Sequence, residues 1–177
     1  MNTHKTILLG LNELNFDYIK YYVSKGLLPN FKSIFDKNKI LKTSSENDYN
    51  LLEPWIQWAT VHTGLSFSDH LIFRLGDMVG RKDLTQIFEE IESNGYSVGA
   101  VSPFNTDNRL KKPAFFIPDP WTKTKPSRGF LINAIYSSIS QLVNDNSHTG
   151  FKFSSIFGIL LAFIIYVPIN NWFFYFK

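Results

Sequence analysis

The chain is continuously apolar from Thr6 to Leu11 and turns polar at Asn12 and Glu13, the pattern of a parallel strand buried on both faces. Phe16, Ile19, Tyr22 and Val23 follow at helical spacing between Asn15 and Lys25, and Gly26 stands where a helix would stop. Leu28 to Phe35 reads as a loop entering a short helix, and Ile40 to Ser44 as a second strand. Trp55 to Thr63 predicts a helix ended by Gly64. Asp83 to Asn94 predicts another, with Leu84, Ile87, Phe88 and Ile91 on one face and Gly95 beyond its end. Tyr96 to Val101 completes the alternation as a buried strand. Strands alternating with helices predict an α/β fold, with a parallel or mostly parallel sheet flanked by helices.

Pro103 to Arg128 is rich in Pro, Lys, Asn and Thr and predicts a long surface loop, the kind of segment that often carries function. Helical spacing resumes from Phe130 to Val143. The remainder differs in kind: no charged residue lies between Lys152 and Lys177, and Ile156 to Val167 is apolar throughout. Residues 153–176 therefore read either as a segment able to enter a membrane or as a buried helix followed by an interfacial aromatic stretch, with Pro168, Asn170 and Asn171 interrupting the run. The expected division is one α/β domain over residues 1–150 and an apolar, aromatic-rich segment over 151–177.

Composition narrows the classes. With 177 residues the chain has the size of one domain, and 17 Phe, 8 Tyr and 4 Trp supply apolar mass that disordered chains lack. A net charge of +3, from 18 basic and 15 acidic side chains scattered along the sequence, lacks the clustered footprint of a nucleic-acid binder. The absence of cysteine excludes disulfides, thiolate zinc sites and cysteine nucleophiles, so a metal would need oxygen or imidazole ligands. The first apolar run is too short for a signal-peptide core, which points to a cytoplasmic start.

Two stretches carry candidate chemistry. Asn12, Glu13, Asn15 and Asp17 lie where the first strand would end, the place at which α/β sheets bind ligands; the bland reading is that Asn12 or Asn15 caps the next helix and the acids favour its N-terminus. Glu53 to Leu65 with Ser68, Asp69 and His70 gathers acids, hydroxyls and the imidazoles of His62 and His70. These groups can ligate a metal, although each histidine alone is more commonly a structural hydrogen-bonder.

The order of these features resembles the start of the alkaline phosphatase superfamily, including sulfatases, type I phosphodiesterases and nucleotide pyrophosphatases. The resemblance rests on Ile7-Leu8-Leu9-Gly10-Leu11 with Asn12 to Tyr18, on Leu28-Pro29-Asn30-Phe31, on Thr63-Gly64-Leu65-Ser66 with Asp69-His70, and on Leu84 to Val101. It implies a metal-dependent phosphoester or sulfoester hydrolase with zinc or manganese as cofactor and a phosphate or sulfate ester as substrate. Asn12 or Glu13 would take the place of the family's first acidic metal ligand. The nucleophile position falls on Pro54, which cannot attack phosphorus or sulfur. Glu53 beside it is then the candidate catalytic residue, as a base or a ligand, and a local gap would bring Thr43, Ser44 or Ser45 closer. The family completes its two-metal centre with later Asp and His residues. After His70 only Asp145 and His148 offer such a pair, so the resemblance implies an incomplete site whose other half resides on a separate chain or is missing. A non-catalytic interaction module and a small C-terminally membrane-anchored protein are the alternatives.

Overall fold

The computed structural model describes residues 5–127, 129–144, 157, 160–161, 163–165 and 168–172. It divides into two compact units, Met1–Ser45 and Glu46–Lys177.

The first unit holds two helices. α1 (Phe16–Ser24) starts where Asn15, in extended backbone, accepts hydrogen bonds at its side-chain oxygen from the Asp17 and Tyr18 N–H groups at 2.9 and 3.1 Å. Two of the helix's orphan donors are thereby satisfied. α2 (Pro29–Lys37) begins on a proline, whose fixed φ and missing N–H suit the first helical turn. Phe16 and Phe31 each approach the Phe35 ring at 6.3 Å, yet the only buried side chain among the described residues of this unit is Ile19.

The expected first strand is corrected here. Residues 5–11 form no regular element, and Ile7, Leu8 and Leu9 are 89, 74 and 74% exposed. Ile40 to Ser44 is also irregular. Apolar composition suits a strand, but a strand exists only when a neighbour takes its N–H and C=O groups. Among the described residues neither segment has such a neighbour.

The second unit supplies the sheet and the core. α3 (Pro54–Thr63) starts on Pro54 and ends at Gly64, whose φ of 70° is the left-handed conformation that terminates helices. α4 (Phe67–His70) is a single turn. α5 (Ile87–Ser93) begins later than the sequence predicts, because the Glu89 carboxylate accepts the Gln86 N–H at 3.0 Å and fixes the helix start there. β1 (Gly99–Val101) pairs in parallel with β2 (Phe115–Ile117), Ala100 opposite Phe116. β2 lies inside the segment expected to be loop. A Cβ on Gly99 would meet the Phe115 ring at 2.5 Å, so this close pairing needs glycine. α6 (Phe130–Asn144) follows.

The chain is thus mixed α/β with a small parallel sheet. Ala59, Ile72, Met78 and Leu84 form a core cluster, and Ile56 and Phe116 are fully buried nearby in sequence and sheet. Asp145, His148 and most of 153–176 lie outside the described residues; among those that are described, no helix is long and apolar enough to cross a membrane.

Candidate functional site

Asn12 and Glu13 occupy the turn between residues 5–11 and α1, and both are exposed. Glu13 has φ 55°, a left-handed conformation that costs a non-glycine residue about 1 kcal/mol. Asn15 is the helix cap, so the structural role foreseen for this turn is filled by Asn15, while Asn12 and Glu13 stand ahead of the cap. Together these two side chains offer an amide and a carboxylate oxygen. Tetrahedral zinc requires four ligands and manganese more, and among the described residues no group of three His, Asp or Glu side chains converges. The described residues therefore do not complete the metal site that the resemblance implies.

Glu53 lies in the second unit, at the N-cap of α3. Its carbonyl accepts from the Ile56 and Gln57 N–H groups at 2.9 and 3.1 Å, and its exposed carboxylate makes no capping bond. Pro54 is explained by helix initiation: it occupies the first helical position, where a missing N–H is harmless. Thr43, Ser44 and Ser45 belong to the first unit.

The histidines are buried and differ. His70 Nδ1 accepts the Ile72 N–H at 2.9 Å, so that nitrogen carries no proton. The proton of the neutral ring then sits on Nε2, which lies 3.0 Å from Thr60 Oγ1 and donates to it. The pair has the look of a nucleophile and its base, but the proton runs the wrong way: His70 is a donor to the threonine. Burial, the largest influence, holds its pKa below the ordinary value. His62 is 5% exposed, stacked on Trp58 at 5.5 Å and tilted against Phe88 at 5.2 Å. Neither ring nitrogen makes a hydrogen bond of normal geometry. Burial lowers its pKa to about 4, with the Phe104 backbone offsetting part of the fall. Neither ring is placed to bind metal as it stands.

The polar centre that sequence reasoning did not find lies in the 103–128 segment. Asp119 is fully buried and accepts four hydrogen bonds: from the Trp121 and Thr122 N–H groups at 2.9 Å, the Thr122 hydroxyl at 2.6 Å and the Asn105 N–H at 3.0 Å. Asn105 sits at φ 50°, donates from Nδ2 to the Trp55 and Arg74 carbonyls and accepts the Gly76 N–H. Asn105 thus ties the start of α3 to the 74–76 turn through its side chain and, through its backbone N–H to Asp119, to the loop after β2. A second knot joins Arg109 to the Arg81 and Leu84 carbonyls and to Glu89, and Gln86 to Asp107. The visible signal was Asp119-Pro120-Trp121-Thr122, an Asp followed by a turn residue and a hydroxyl, which favours local capping bonds. Every oxygen of Asp119 is used internally, so this centre organises the loop.

Comparison with protein-family models, with curated proteins and with solved structures gives no significant match.

Proposed function

We propose that the chain is a module of a metal-dependent phosphoester or sulfoester hydrolase-like protein, contributing Asn12 and Glu13 as oxygen donors to a centre that needs further ligands. The observation supporting this reading is the backbone of Glu13: a strained, solvent-facing acid immediately after an apolar segment, and residues held in such conformations concentrate at functional sites. Two donors support only weak binding, so the expected dissociation constant for manganese is about 10⁻⁴ to 10⁻³ M. Titration calorimetry of the chain and of its Glu13→Gln variant tests this, with an expected loss of roughly tenfold or more in the variant. Equal affinities would remove Glu13 from the reading. Assay against an aryl phosphate, a diester and an aryl sulfate then asks whether Glu53 matters: turnover unchanged in Glu53→Gln would take away its catalytic role.

A non-catalytic interaction module is the second reading, and the exposure of Ile7, Leu8 and Leu9 favours it. A run apolar on both faces is suited to burial between layers. Association that persists in wild type and disappears in Leu8→Ser/Leu9→Ser, read by analytical ultracentrifugation, is its expected result.

A further inference from the structure

We propose that the groove between α6 and the loop after β2 seats an acyl chain of an anionic lipid surface, with Trp121, Lys123 and Lys125 at the headgroup level. Ile132, Ile135, Tyr136 and Ile139 recur at three- and four-residue spacing and form one wall. Ile117, Pro118 and Pro120 form the other, enclosing about 250 Å³. At roughly 27 Å³ per methylene, a value consistent with close-packed hydrocarbon, this holds most of a medium-length chain segment. The walls offer little to a polar ligand: the Tyr136 hydroxyl already donates to the Thr122 carbonyl at 2.6 Å, and Ser102 is the one other hydroxyl-bearing residue of the lining. α6 itself carries no charged residue.

Charge selects the occupant. Trp121, which follows Pro120 of the groove wall, is exposed, as are Lys123 and Lys125, while Thr122 and Thr124 are buried. Among the described residues neither lysine has a carboxylate within ion-pairing distance. The acids of the same loop are engaged inside: Asp119 as described, and Asp107 by the Thr124 hydroxyl and the Gly80 N–H. An amphipathic ring and two uncompensated ammonium groups, leading directly from an apolar groove, match an interface of hydrocarbon and anionic headgroups. This inference is independent of the hydrolase reading and of residues 153–176.

The chain has no cysteine, so a single Ile139→Cys, at the 41% exposed mouth of the groove, can carry an environment-sensitive NBD label, with Ser137→Cys on the exposed side of α6 as the control. Vesicles of phosphatidylcholine with roughly a third phosphatidylglycerol should blue-shift and brighten the label at 139 and leave that at 137 unchanged. Phosphatidylcholine alone, or salt at about 1 M, where the Debye length is about 3 Å, should abolish the response. Lys123→Gln/Lys125→Gln changes exposed side chains only and should weaken partitioning roughly thirtyfold. The proposal is overturned by a silent label at 139, by equal responses at 139 and 137, by indifference to headgroup charge or to the lysine changes, or by a response to monomeric decanoate without one to vesicles.

Discussion

Residues 5–45 and the unit that begins at Glu46 solve the problem of burial differently. The first has four apolar side chains in six consecutive positions at 6–11 and a row of aromatic rings on α1 and α2, yet among its described residues only Ile19 is buried. The second encloses Ile56, Ile72, Met78 and Phe116 together with His70, Gln86, Asn105 and Asp119. Hydrophobicity supplies a driving force without direction. The long loop of the second unit becomes ordered because buried polar groups have few alternatives to the partners they find.

The sharpest way to break this contrast is Asp119→Ala. Four donors lose their acceptor, and with unsatisfied buried groups costing about 1–3 kcal/mol each, the expected loss is about 4 kcal/mol or more, enough to threaten a domain of ordinary stability. Urea unfolding followed by tryptophan fluorescence reads it; a loss below about 1 kcal/mol would show that the loop is held by something else.

Acid should weaken the second unit next. The unfolded chain takes up a proton at His62 near pH 6.5, whereas the folded state does so only near 4. The associated stability is therefore complete above about pH 6.5 and lost as pH falls toward 4, amounting to about 3 kcal/mol. His70, lowered chiefly by burial, acts in the same direction. Comparing unfolding midpoints at about pH 7.5 and pH 4.5 in wild type and His62→Phe isolates the ring, since the variant should lose much of the slope. Identical slopes would mean that His62 is not held neutral.

Asn105→Ala should cost about 2–3 kcal/mol, because the Trp55, Arg74 and Gly76 backbone groups lose a common partner and alanine is strained at φ 50°. Asn105→Gly relieves the strain and keeps the loss of bonds, so near-equal destabilisation of the two variants attributes the effect to the side chain. At the small end, Lys32→Ala removes a surface pair with Asp36 in α2 and should change stability by about 0.3 kcal/mol. Hydrogen exchange sharpens the comparison: amides of α1 and α2 should open at lower free energy than those of α3. Slower exchange in α1 would reverse the ranking.

Local events were legible in the sequence. Asn15 as one of two candidate caps and Gly64 as a stop follow from backbone geometry and near-neighbour hydrogen bonds, and each helix that they delimit is present. The periodicity of α6 was visible for the same reason. Of the buried strand expected over Tyr96 to Val101 only Gly99–Val101 forms, with Val98 and Ala100 buried and Tyr96 and Val101 each 67% exposed. The candidate site was less so: Glu53 stands just ahead of α3 as the sequence suggested, but Glu13 follows no strand, and among the described residues neither position carries a convergence of ligands.

Sequence alone determined where α1 and α3 begin and end, because those choices involve atoms within a few residues of each other. Tertiary structure decided which apolar runs became strands and what the 103–128 loop does. Each of these depends on a partner distant in the chain: Phe115 for Gly99, Trp55 and Arg74 for Asn105. A hydrogen-bonding group states its need in the sequence, and only the fold supplies the atom that meets it.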